Sequence, residues 1–229
     1  MFLSKLTVNV TSREFRRDYA DVHRMHRTVM SAFPDASQQH AARQAHGALW
    51  RLDTAQRGFI LYVQSHTKPD WTPLPRGYLT EPARVRDLQP VLDAVQPGRK
   101  LAFRLVANPT RSIHTEGTPG QRGRGKRVPH RNPEKQIEWL ARQGERHGFV
   151  IPIAANGQAD VAPSSTPTLR GHKNDKQKQL ITVEPVRYDG HLIITDPETF
   201  TNALLNGVGR AKAFGCGLIT LALPVASPA

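Results

Sequence analysis

The chain has 229 residues, enough for one large domain or two small ones that each bury a core. Its 32 Lys and Arg against 19 Asp and Glu leave a formal charge of +13, which points to a polyanionic partner. No apolar run is long enough to span a bilayer, the first residues lack the apolar core of a signal peptide, and the single Cys216 excludes an internal disulfide and the common zinc-finger spacings. A cytoplasmic protein without a membrane partner is therefore expected.

In chain order, Phe2, Leu6, Val8 and Val10 alternate with Leu3, Lys5, Thr7 and Asn9 and predict a half-buried strand, with Ser4 as the exception. Arg13, Arg16 and Arg17 read as a basic turn. Asp18 or Asp21 can then cap a helix in which Val22, Met25, Val29 and Phe33 recur at helical steps until Pro34 ends it. At about 100° per residue His26 falls at the edge of that apolar stripe, with His23 beside it and Arg27 turned further toward solvent. Tyr19 is expected to precede the helix and pack as an apolar residue.

Ala48 to Asp53 and Gly58 to Ser65 read as a hairpin, Lys68 to Pro82 as irregular, and Arg84 to Val95 as either a strand or a short helix. Pro97 and Gly98 mark a boundary, giving an N-terminal unit of residues 1–97 and a C-terminal unit of 98–229. The second unit opens with the alternation of Leu101, Phe103, Leu105 and Ala107. From Arg111 to Arg131 the composition turns to Gly, Pro and cations. Arg122, Arg124, Lys126, Arg127 and Arg131, nearly without acidic partners, read as a basic loop that follows phosphates, against the bland reading of a solvated linker. Asn132 and Pro133 then start a helix with Ile137, Leu140 and Ala141 inward and Lys135, Arg142 and Arg146 outward. After a second polar insert, Leu180 to Val186 and His191 to Thr195 are expected to pair across a turn at Asp189 and Gly190.

The end of the chain, Gly207 to Gly217 (GVGRAKAFGCG), follows a helix pattern over Pro197 to Leu205 and precedes an apolar run. Gly207, Gly209, Gly215 and Gly217, with Arg210 and Lys212, can hold phosphate on backbone amides and two cations. The bland reading, a helix cap and a close-packed strand entry, stands level with it on spacing alone. Strand, helix and hairpin recur in both halves, so the expected fold is α+β: two tandem ferredoxin-like (RRM-like) βαββαβ domains with a basic cleft between them, suited to an RNA backbone.

Three stretches, FLSKLTVN…SREFRRDYADVHRMHRTVM, LAFRLVANPTR and GVGRAKAFGCGLITLA, resemble in order and spacing the CRISPR RNA-processing endoribonucleases of type I-E systems, the CasE family. The resemblance implies two ferredoxin-like domains that cut a repeat RNA hairpin without a metal ion or other cofactor and then stay bound with the other subunits of a surveillance complex. It places the catalytic histidine at His26, within Met25, His26, Arg27 and Thr28. Family members commonly carry a tyrosine where this chain has His23, which makes His23 the second candidate for proton transfer. A lysine that some members carry is replaced by Ser31. Metal chelation by His23 and His26 lacks further ligands. The competing class is a non-catalytic RNA-hairpin-binding protein of the same double fold.

Overall fold

The alternation at the start of the chain becomes β1 (Phe2–Val8), which pairs antiparallel with both β3 (Gly58–Ser65) and β4 (Arg84–Asp87). β2 (Leu49–Ala55) completes the hairpin with β3, so the first sheet runs β2-β3-β1-β4. The computed structural model describes residues 1–34, 43–113, 126–172 and 180–224. Ser4, the break in the apolar alternation, is fully buried and accepts a hydrogen bond from the indole of Trp71 at 3.0 Å. A buried hydroxyl with a partner costs little.

Arg13, Arg16 and Arg17 do not form a turn but belong to α1 (Arg13–Ala20), capped by Ser12, whose hydroxyl accepts from the Phe15 amide. The run of cations hides a helix whose buried anchor, Phe15, is a single aromatic. α2 (Val22–Met30) follows after one extended residue, Asp21, and ends before Phe33, which is still buried. Both helices pack on the first sheet through Phe15, Val22, Met25 and Val29 against Leu6, Leu61 and Val63. The segment left open between strand and helix contains both, β4 and then α3 (Gln89–Asp93).

The second sheet runs β13-β5-β12-β8, from β5 (Lys100–Ala107), β8 (Phe149–Val150), β12 (Val186–Ile194) and β13 (Ile219–Ala222). β9 (Val161–Ser165) shares one edge of β12 with β8. α4 (Pro133–Arg146) and α5 (Pro197–Asn206) contribute Trp139, Leu140, Phe200 and Leu204 to the core under it. Asn132 caps α4 as the sequence indicates, but Ala141 is exposed and the inward positions are Gln136, Trp139, Leu140 and Gly144. Two ribbons project from this half: β6 (Thr110–Ile113) with β7 (Lys126–Pro129), and β10 (Leu169–His172) with β11 (Leu180–Val183).

Asp189 and Gly190 make no turn. They lie in the middle of β12, paired with Arg104 and Phe103 of β5. Glycine is needed there because a Cβ at 190 would sit 2.3 Å from the Asp160 carbonyl oxygen and 2.7 Å from the Val161 Cα, where β9 crosses closely. Gly190→Ala is expected to destabilise the protein by about 1–3 kcal/mol through this overpacking against backbone, read as a lower urea midpoint. An unchanged midpoint would show that β9 can move away freely.

Candidate active site

Asp21 ends α1 and caps α2, its carboxylate accepting from the amides of His23 at 2.9 Å and Arg24 at 3.3 Å. That fixes the first turn of the helix that carries both histidines. β10, from the second half, is laid directly across this turn: a Cβ at Gly171 would meet Asp21 Oδ1 at 2.6 Å and the His23 amide nitrogen at 3.0 Å. The next residue, His172, places Nδ1 3.9 Å from Asp21 Oδ2. A 3-10 turn at Lys212–Phe214, inside the glycine-rich stretch, also packs against α2. One helix of the first half is thus gripped by two segments of the second.

This grip changes the position of His26. Only 3% of its surface is exposed, so it lies within the buried face of α2 and not at its edge. A helical wheel counts only the apolar residues of the helix itself, whereas the second half widens the face that is covered. His23 is half-buried and Arg27 exposed. Tyr19 precedes the histidine helix as expected, but as part of the separate helix α1, and it is 51% exposed.

The glycines of the 207–217 stretch serve conformation and packing. Gly207, Gly209, Gly215 and Gly217 all have positive φ, between 75° and 92°, a region that side chains strain. A Cβ at Gly215 would meet the Trp50 ring at 2.8 Å, one at Gly209 the Trp139 ring at 3.2 Å, and one at Gly207 the Leu49 methyls at 2.9 Å. The stretch therefore threads between β2 of the first sheet and α4 of the second. Its Val208 and Gly217 amides donate to the carbonyls of Gly217 and Val106. Cys216 is fully buried and its thiol is pushed up to about 12 by burial, which leaves it chemically quiet.

Cations gather here from distant parts of the chain. Burial, followed by the nearby Arg43 guanidinium, lowers the Lys212 ammonium from its ordinary value. Burial, then Lys212 and Arg146, lowers His147. Arg43 and the adjacent Arg146 and His147 lie far from Lys212 in the sequence, so this gathering of basic side chains could not be read from it. Near the β6–β7 ribbon, burial and then Arg142 and Arg111 lower His130. Arg127 and Arg210 are exposed.

The expectation that the basic loop lacks acidic partners fails at its end. Arg131 makes a two-pronged pair with Glu184 at 2.8 and 2.9 Å, and Lys135 meets Glu138 at 2.7 Å. Both acids are remote in sequence or one turn on, where folding brings them alongside. Arg122 and Arg124 lie outside the described residues, and so does the side chain of Lys126. Among the described residues no group of three or more His, Cys, Asp or Glu side chains is placed to hold a metal ion, and no helix is long and apolar enough to cross a membrane.

A family model described as CRISPR associated protein matches residues 1–223. Over 227 residues the chain is 35% identical to the CRISPR-associated endoribonuclease Cse3 of Thermus thermophilus, covering 97% of this chain and 100% of that protein. The chain belongs to the Cse3/CasE family of CRISPR-associated proteins. A second Cse3/CasE member, the CRISPR system Cascade subunit CasE of Escherichia coli K12, is 30% identical over 191 residues, covering 78% of this chain and 90% of that protein. Among solved structures, Thermus thermophilus Cse3 bound to an RNA representing a pre-cleavage complex matches with a TM-score of 0.76 at 32% identity, covering 96% of this chain and 98% of that one. The α+β architecture with two antiparallel sheets is thus the Cse3 fold.

Proposed function

We infer that this chain is an endoribonuclease that cleaves CRISPR repeat hairpin RNA and remains with the product as a subunit of a Cascade-type surveillance complex. The observation that carries the reading is the full-length match to Cse3 bound to a pre-cleavage RNA. The two sheets are read as tandem ferredoxin-like units divided near residues 97 and 98. Support comes from the strand order β13-β5-β12-β8, with α4 and α5 at the two crossovers, and from the corresponding order β2-β3-β1-β4 in the first half. Leu92 and Val95 pack on the second core, so the end of the first unit is shared.

The reaction proposed needs no metal. The ribose 2′-hydroxyl attacks the adjacent phosphorus as the 5′-oxygen departs, leaving a cyclic phosphate and a 5′-hydroxyl. A base must take the 2′ proton and an acid must supply one to the 5′-oxygen, and imidazoles suit both tasks near neutrality. His26 is assigned one role and His23 is placed as its partner, because both lie on α2 with its start held by Asp21 and β10. Arg27 and the cluster around Lys212 supply positive charge for the phosphorane and the RNA backbone. Cleavage of a hairpin repeat in the presence of EDTA tests this. Activity that disappears with chelator and returns with a divalent ion would replace the histidine mechanism with a metal one.

Cations that hold the RNA backbone also predict a salt effect. Arg127→Glu with Arg210→Glu is expected to flatten the slope of log affinity against log salt by about one unit for each phosphate no longer held. An unchanged slope would remove these two exposed cations from the RNA path. Arg131 and Lys135, already paired with Glu184 and Glu138, are expected to contribute less than Arg127.

A further inference from the structure

A cleft of about 310 Å³ opens between the two halves, walled by Tyr19 of α1, Trp50 and Phe59 of the first sheet, Thr168 and Arg170 beside and in β10, and Arg187 of β12. It is separate from the exposed flank of α2. Val22 and Met25 reach the cleft, whereas His23, His26 and Arg27 do not line it.

Its chemistry is uneven in an informative way. Arg187 is tied to Asp189 at 2.8 Å, and Arg51, deeper in the wall, is held two-pronged by Asp53. Arg170 is exposed and joins no ion pair among the described residues. Tyr19 keeps 51% of its surface exposed although its ring is held at 5.1 Å from Phe59 and 6.0 Å from Phe15, so a rigid aromatic face is presented at the mouth. Trp50 is 4% exposed, and its Nε1 donor has no hydrogen-bond partner among the described residues. A buried donor left without an acceptor is destabilising. An exposed aromatic face and one open guanidinium around a space of nucleoside size match a base and its phosphate. An apolar peptide would use the rings but leave Arg170 without an anion. The excess of positive charge over the whole chain, +13, favours the nucleotide.

Resting on the RNA reading above, we propose that this cleft binds one unstacked nucleotide of the single strand flanking the hairpin. The base lies against Tyr19 and Phe59 and the phosphate meets Arg170. The site adds affinity for flanked RNA and takes no part in the cut.

The test compares the full-length protein on a bare repeat hairpin and on the same hairpin carrying short single-stranded flanks, 5′ or 3′. One flanked RNA is expected to bind about tenfold tighter than the bare hairpin, the scale of one stacked base. Tyr19→Leu, which keeps apolar packing, and Arg170→Ala should each remove most of that gain and leave affinity and cleavage of the bare hairpin at wild-type level. A 4-thiouridine in the flank should crosslink to the segment containing Tyr19 or Phe59. Normal cutting of the bare hairpin with no gain from either flank, or a gain that survives both substitutions, overturns the proposal. So does hydrogen-exchange protection of the cleft by a partner subunit and not by flanked RNA, which would assign it to a peptide. A bare hairpin that is neither bound nor cut overturns the function itself, a result distinct from failure at the cleft.

Discussion

His26→Ala is expected to lower single-turnover cleavage of a repeat hairpin by about 10² or more while hairpin affinity stays close to wild type. Binding is spread over many cations, whereas proton transfer to or from one oxygen falls to one ring. Because His26 is 3% exposed, the alanine variant also leaves a buried void, so its fold must be checked by its urea midpoint. His26→Gln fills more of that space without a group that titrates near neutrality, and should be equally inactive. A folded variant that cuts at the wild-type rate would move the proton transfer elsewhere, with His23 the next position to replace. His23→Ala should cost roughly tenfold or more if its ring acts with His26, and nothing if it is a half-buried bystander.

Periodicity carried the fold where one element supplies its own apolar face. β1, the β2–β3 hairpin, β5, α4 and α5 all stand close to where alternation or helical spacing puts them. It failed where a second segment decides. Gly190 looks like a turn residue until β9 is seen to cross it, and His26 looks like an edge residue until β10 and the 3-10 turn cover α2. The glycine-rich stretch was evenly divided between phosphate binding and packing. Its positive φ values and the rings of Trp50 and Trp139 against it account for the glycines by packing, while its cations acquire meaning from Arg43, Arg146 and His147. Such clusters join residues far apart in sequence, where no period exists to detect. Helical spacing located the helix that carries His23 and His26, and the resemblance on three stretches singled out His26 on it as the candidate for proton transfer.

Arg51→Ala is expected to be among the most damaging substitutions away from the histidines, at about 3–5 kcal/mol of stability, because it breaks a buried charged clip between the two sheets. Arg51 is 2% exposed, and all five guanidinium N–H donors are accounted for. Nε and Nη2 hold Asp53 at 2.7 and 2.9 Å, Nη2 also reaches Thr220 Oγ1 at 2.9 Å, and Nη1 donates to the carbonyls of Arg104 at 3.1 Å and Leu218 at 3.2 Å. β2 of the first sheet is thereby fastened to β5 and β13 of the second. Alanine strands the Asp53 carboxylate, with Arg104 at 3.3 Å as its remaining cation, and leaves two carbonyls without this donor. Most of the cost therefore comes from groups left behind, not from the attraction that is removed. Replacing both partners, Arg51→Met with Asp53→Met, should consequently recover much of the stability that Arg51→Ala loses. Urea unfolding of the two variants decides the matter. A loss below about 1 kcal/mol in Arg51→Ala would mean that water replaces the guanidinium and that the clip behaves as a surface pair. A double variant no better than Arg51→Ala would mean that the shape of the arginine, not the pairing of its charge, joins the sheets. Since α2 also meets β10 and the 3-10 turn of the glycine-rich stretch across the junction between the two halves, hairpin cleavage should fall together with stability in Arg51→Ala and return with it in the double variant.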